Sequence, residues 1–167
     1  MTRRSLFSSF AALSLLTVVL FITPAHAQSA SDKHDAVLRT VQQLFDGMRA
    51  GDSTQVRAAF VPDAQMMTVA NQDGTGALRK GSLDRFVAAV GEPHEAVWDE
   101  RIWDVKVRID GPMATVWAPY AFYLGDELSH CGVNAIQLLR QSDGWKIYHI
   151  ADTRQQENCE IPADVRK

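Results

Sequence analysis

WDERIWDVKVRIDGPMATVWAPYAFYLGDELSHCGVNAIQLLRQSDGWKIYHIADT, residues 98–153, decides the fold. β-Branched and aromatic residues dominate this stretch, polar and apolar positions alternate, and three clusters of turn residues interrupt it: Asp110-Gly111-Pro112, Gly125-Asp126-Glu127 and Ser142-Asp143-Gly144. The pattern predicts four strands over 97–109, 113–124, 129–140 and 145–153. Their connections are short enough to make neighbours antiparallel.

Turn positions also predict register. A turn centred on Ser142-Asp143-Gly144 sets Gln141 opposite Trp145, Leu138 opposite Tyr148, Ile136 opposite Ile150 and Asn134 opposite Asp152. A turn at Gly125-Asp126-Glu127 sets Leu124 opposite Leu128 and brings Phe122, Tyr120, Ala118 and Val116 to the same face. Trp103, Val105, Val107 and Ile109 join them across the Asp110-Gly111 turn. The other face receives Asp104, Lys106, Arg108, Thr115, Gln137 and His149, so the first face is predicted to lie under helices.

Helices precede this sheet. Asp32 is predicted to cap a helix running to Ala50, in which Val37, Leu38, Val41, Leu44, Phe45 and Met48 recur at helical spacing and Gly51 supplies the stop. Ser53 is read as the cap of a short second helix ended by Pro62. Ser82 caps a third over 83–90, ended by Gly91 and Pro93. Between the last two lies a hairpin with strands 65–70 and 77–81 around Asn71-Gln72-Asp73-Gly74-Thr75-Gly76.

At the start of the chain, Arg3 and Arg4 precede an apolar run from Leu6 to Ile22 that ends in Pro24-Ala25-His26-Ala27. This has the form of a secretory signal cleaved after Ala27, with residues 28–167 as a single domain in the periplasm or the medium. The run is too short, and too interrupted by serine and alanine, for a stable membrane span. Acidic and basic residues are interspersed and the net charge is −3, so the basic face that nucleic acid requires is missing.

Two cysteines, Cys131 and Cys159, would meet an oxidising compartment in which a disulfide persists. Free thiols, or a metal site completed by His130 and His149, are the alternatives. The chain has no Cys-x-x-Cys or His-x-x-x-His spacing, and neither a metal nor a cofactor is expected.

The helix exit Met48-Arg49-Ala50-Gly51-Asp52, the lead-in Phe60-Val61-Pro62-Asp63-Ala64 and the last strand Gly144-Trp145-Lys146-Ile147 resemble the nuclear transport factor 2-like superfamily. The run Gly132-Val133-Asn134-Ala135-Ile136-Gln137-Leu138 before that strand resembles exported members of SnoaL-like or lumazine-binding type. This resemblance spans residues 28–167. It implies an α+β roll of cystatin-like type: a cone-shaped, curved, mixed but mainly antiparallel sheet packed on N-terminal helices. The superfamily includes ketosteroid isomerases, scytalone dehydratase and polyketide cyclases alongside proteins that only bind, so it implies no single activity. No catalytic set from those enzymes maps onto this chain position by position; Asp63, near where an isomerase base would lie, also serves to close a helix and open a strand.

The register itself supplies candidate residues. Asp152 opposite Asn134, in an apolar cavity, would have a raised pKa and suit a general base beside a carbonyl; an ion pair with Arg154 is its plain structural alternative. Tyr120 could donate to a developing oxyanion. Trp103, Asn134, His130 and Arg154 are the candidate ligand contacts, and Trp98 and Trp117 could stack on a flat ring. Two function classes follow: a pocket protein for a small, flat, mostly apolar molecule, or a cofactor-independent isomerase, dehydratase or cyclase. A structural or partner-binding role is the third. A homodimer is expected through the face bearing Thr115, Gln137 and His149.

Overall fold

The structure, a computed structural model, describes residues 30–166; the signal segment read at 1–27 lies outside them. In chain order the elements are α1 Ala30–Ala50, α2 Ser53–Ala58, β1 Phe60–Gln72, β2 Thr75–Lys80, α3 Leu83–Gly91, β3 Trp98–Ile102, β4 Lys106–Asp110, β5 Met113–Leu124, β6 Glu127–Gln141 and β7 Gly144–Thr153. One seven-stranded sheet runs in the order β2-β1-β7-β6-β5-β3, with β4 also paired to β5. Among the described residues only β1 and β7 pair in parallel. The expected α+β class, mixed and mainly antiparallel, holds.

Helix α1 buries Val37, Val41, Leu44, Phe45 and Met48 on one stripe, and Gly51 ends it at φ 66°. That stripe packs on Val116, Ile136, Leu138, Ile147 and Ile150 of the sheet, with Leu83, Val87 and Val90 of α3 completing the core. Ser82 caps α3 by accepting from the Arg85 amide. The cap of α2 is Asp52 rather than Ser53: its carboxylate accepts from the Thr54 and Gln55 amides, both at 2.9 Å. Ionised aspartate outcompetes serine there because it also meets the positive end of the helix.

Register agrees with expectation away from the turns and departs beside them. Asn134 faces Asp152 and Ile136 faces Ile150, but Leu138 faces Ile147 instead of Tyr148, and Gln141 faces Gly144 instead of Trp145. Likewise Leu124 faces Glu127 rather than Leu128, while Phe122 faces His130. Both hairpins use a two-residue turn, one residue tighter than the predicted three. A bulge a few residues further on, at Tyr148 in one and Ser129 in the other, absorbs the difference and restores the pairing.

The predicted strand 97–109 is two strands. Between Ile102, opposite Tyr120, and Lys106, opposite Trp117, three residues of one strand meet two of the other. Asp104 takes the left-handed conformation at φ 44°. The break reverses which parity faces the core: Trp98 and Ile102 pack there from β3, Val107 and Ile109 from β4. Trp103 is thereby turned away, onto Ala121, Tyr123 and Ile161.

Cys131 and Cys159 form a disulfide, consistent with an oxidising compartment. It clips the C-terminal segment to β6, where Gln155 and Cys131 also exchange backbone hydrogen bonds of 2.9 Å. Ile161 and Val165 then cover Trp103 and Tyr123. Reducing this bond is expected to lower stability by about 3–4 kcal/mol, the chain-entropy value for a loop of this length. Urea unfolding with and without a dithiol reads the difference, and coincident midpoints would contradict it.

Candidate ligand site

Three strands converge on Asp152. Parallel pairing places Thr68 of β1 beside it and antiparallel pairing places Asn134 of β6 on its other side, while Tyr120 of β5 lies one strand further across. Thr68 Oγ1 donates to Asp152 Oδ1 at 2.6 Å, and Oδ2 accepts from Tyr120 Oη at 3.1 Å and from Arg154 Nε at 2.5 Å. The Tyr120 hydroxyl also lies 3.0 Å from the Thr153 carbonyl oxygen, so its single proton is shared between two acceptors. Asp152 is thus a carboxylate held by three donors, an anchoring group more than an available base.

The group with a proton to exchange is Glu100, on β3. Its Oε1 accepts from Asn134 Nδ2 at 2.6 Å. Burial pushes its pKa up to about 7; the Asn134 hydrogen bond opposes the rise, the Asp152 charge adds to it and the Arg154 charge opposes it. Tyr120 is pushed up as well, first by burial and then by the charges of Asp152 and Glu100, so it stays a protonated donor. His130 is lowered, chiefly by burial and then by the Arg154 charge, and is a neutral imidazole at neutral pH. Its ring stands against Phe122 at 5.1 Å and Tyr120 at 5.7 Å between centroids.

Thr68, Glu100, Asn134, Asp152 and Arg154 form the polar end of a cavity of about 130 Å³ whose other walls are apolar, among them Leu44, Phe45, Met48, Phe86 and Ile150. The cavity continues into a wider cleft of about 770 Å³. Met48, Thr68, Phe86, Glu100, Asp152 and Arg154 border both, and the cleft adds Arg79, Trp98, Phe122 and His130. Few convergent polar groups on an apolar wall are what a small-molecule site requires. A larger hollow of about 1050 Å³ lies beside the start of α1, between Lys33, His34 and Ala36 and the turns at Gly111-Pro112 and Ser142-Asp143.

Five of the expected residues therefore meet here: Asp152, Tyr120, Asn134, His130 and Arg154. Trp103 does not, because the break after Ile102 turns it to the face covered by the C-terminal segment. Trp98 lines the cleft in place of Trp103, stacked on His94 at 4.4 Å and edge-on to Phe122. Glu100 and Thr68 were not anticipated. A signal for Glu100 exists in the sequence: Trp98, Glu100 and Ile102 share even parity whereas Val105, Val107 and Ile109 are odd, and such a switch marks a bulge. Among the described residues no group of three or more His, Cys, Asp or Glu could hold a metal ion, and no helix is long and apolar enough to cross a membrane.

Residues 32–149 match the family model described as "Putative lumazine-binding". No curated protein matches the chain. Among solved structures, the β subunit of a putative aromatic-ring-hydroxylating dioxygenase from Novosphingobium aromaticivorans superimposes with a TM-score of 0.63 at 13% identity, covering 76% of this chain and 92% of that one. An NTF2-like protein with a cystatin-like fold from the same organism gives 0.61 at 12%, covering 81% and 87%. A putative dehydratase of the NTF2-like family from Streptomyces avermitilis gives 0.57 at 18%, covering 75% and 97%. At these identities the structural likeness establishes an NTF2-like fold, and the family match establishes membership: the chain belongs to the putative lumazine-binding family.

Proposed function

We propose that this protein is an exported pocket protein that binds a small, flat, mostly apolar molecule in the cavity ending at Glu100, Asn134 and Asp152. The observation that carries the reading is an apolar cavity whose polar groups all converge at one end, opening into a cleft walled by Trp98 and Phe122. The family's name, taken from a flat ring compound, is in keeping with it. N-Phenyl-1-naphthylamine, a flat uncharged fluorophore, is the probe of choice. Saturable one-to-one binding is expected, and a linear rise in fluorescence without saturation would contradict the reading.

One observation favours a catalytic variant of this site. Glu100 combines a pKa near 7 with an apolar surround, the condition for proton transfer next to a carbonyl. In an isomerase, dehydratase or cyclase of this kind Glu100 takes the role first expected of Asp152, whose oxygens are occupied, and Tyr120 would have to leave Asp152 and Thr153 to serve an oxyanion. Glu100→Gln separates the two readings: turnover lost with affinity kept marks an enzyme, affinity changed alone marks a binder.

The homodimer belongs to the same proposal. Thr115, Gln137 and His149 pair in one row across the sheet face away from the helices. The neighbouring row carries Trp117, 56% exposed, an unusual exposure for tryptophan. Light scattering at micromolar concentration is expected to give twice the monomer mass. A monomer would refute the dimer and leave the pocket untouched.

A further inference from the structure

We propose that the ligand of this cleft carries a single oxyanion, a carboxylate or a phosphate, which Arg79 and Arg154 hold at the mouth while its flat body lies against Met48, Phe86, Trp98 and Phe122. The inference rests on the reading of the cleft as a small-molecule site and adds the charge of what enters it.

Arg79 faces Thr68 across the β1–β2 pair and borders the same cleft as Arg154. Among the described residues neither a carboxylate nor a carbonyl engages the Arg79 guanidinium. Arg154 spends only Nε on Asp152, and among the described residues its two Nη nitrogens have no partner in the protein. The side chain is about half exposed and borders the cleft. Asp152 balances one of the two guanidiniums. His130 is neutral, and Glu100 is largely protonated below neutrality, so it adds little opposing charge there. The mouth thus carries an excess positive charge on a chain whose net charge is −3.

A guanidinium with two free N–H groups on one edge matches an oxyanion geometrically, and the wall below it matches a ring. A neutral apolar ligand would satisfy the wall and leave both sets of donors to water. A cationic ligand would be repelled by both arginines.

Two probes that share one anilinonaphthalene body test this: 1-anilinonaphthalene-8-sulfonate, an oxyanion, and N-phenyl-1-naphthylamine, which is uncharged. The wild-type protein should bind the sulfonate about tenfold more tightly, the return expected from charge-assisted hydrogen bonds at a partly exposed site. Arg79→Gln should remove most of that preference, weakening the sulfonate far more than the uncharged probe, and high salt should do the same. Competition between the probes should show one shared site. Equal affinity of the wild type for both probes, or equal weakening of both by Arg79→Gln, overturns the proposal while the pocket reading stands. Failure of both probes to bind saturably overturns the pocket reading and this inference with it.

Discussion

Raising the pH from about 4 to about 8 should cost the wild-type protein about 3 kcal/mol of stability that the Glu100→Gln variant retains. Burial raises the Glu100 pKa in the folded protein to about 7, whereas in the unfolded chain it is that of an ordinary glutamate. Between the two values the folded state holds the extra proton, so its stabilising effect is complete below the unfolded pKa and is lost as pH rises through the folded one. Asp99 titrates below this range: burial raises its pKa, but the Arg101 and Arg49 hydrogen bonds outweigh that and leave it lowered. The difference between wild type and Glu100→Gln isolates the residue, because glutamine keeps an oxygen for Asn134 and has no charge to desolvate. Urea unfolding of both proteins across the range measures it. Parallel stability curves would show that Glu100 is solvated and titrates normally.

Gly132→Ala should destabilise the fold by about 3 kcal/mol or more, at the upper end of what overpacking costs. A Cβ at this position would lie 1.9 Å from the Thr153 carbonyl oxygen and 2.7 Å from its carbonyl carbon. Both are backbone atoms, so no side-chain rotation relieves the overlap. The Thr153 carbonyl accepts from Tyr120, and β7 is held between β1 and β6; moving it disturbs Asp152 next door. Thermal or urea unfolding should show a large drop in midpoint together with weaker probe binding. A midpoint unchanged from wild type would mean that the close approach of β6 and β7 at the site is absent.

The candidate site could be read from the sequence as far as parity carries and no further. Turn positions and the facing of Asn134 and Asp152 follow from alternation and from turn residues, because one buried face penalises any other register. Tyr120, Asn134, Asp152, His130 and Arg154 were assembled on that basis. What turn chemistry leaves open is whether Gly125-Asp126-Glu127 and Ser142-Asp143-Gly144 close in two residues or three. The tight form, with bulges at Ser129 and Tyr148, gives the same pairing further along each hairpin, so the error stayed beside the turns. At Trp103 no such cancellation occurs. The parity switch between Ile102 and Val105 is masked by the tryptophan itself, whose odd position continues the pattern of Val105, Val107 and Ile109. Trp103 was therefore expected in the cavity and Glu100 outside it; the structure exchanges them. Thr68 was out of reach for a different reason: parallel pairing of β1 with β7 is a long-range contact that no local turn announces.

Where a flat molecule binds is the point on which the account stands, and the four tryptophans report it directly. Trp98 lines the cleft, Trp103 lies under the C-terminal segment, Trp117 is exposed on the opposite face and Trp145 is in the core. Titrating the 15N-labelled protein with N-phenyl-1-naphthylamine and following the indole N–H resonances should shift Trp98 saturably and leave Trp117 in place. A saturable shift of Trp117 with Trp98 unmoved would place the ligand on the open face of the sheet, and the cavity ending at Glu100, Asn134 and Asp152 would not be the binding site.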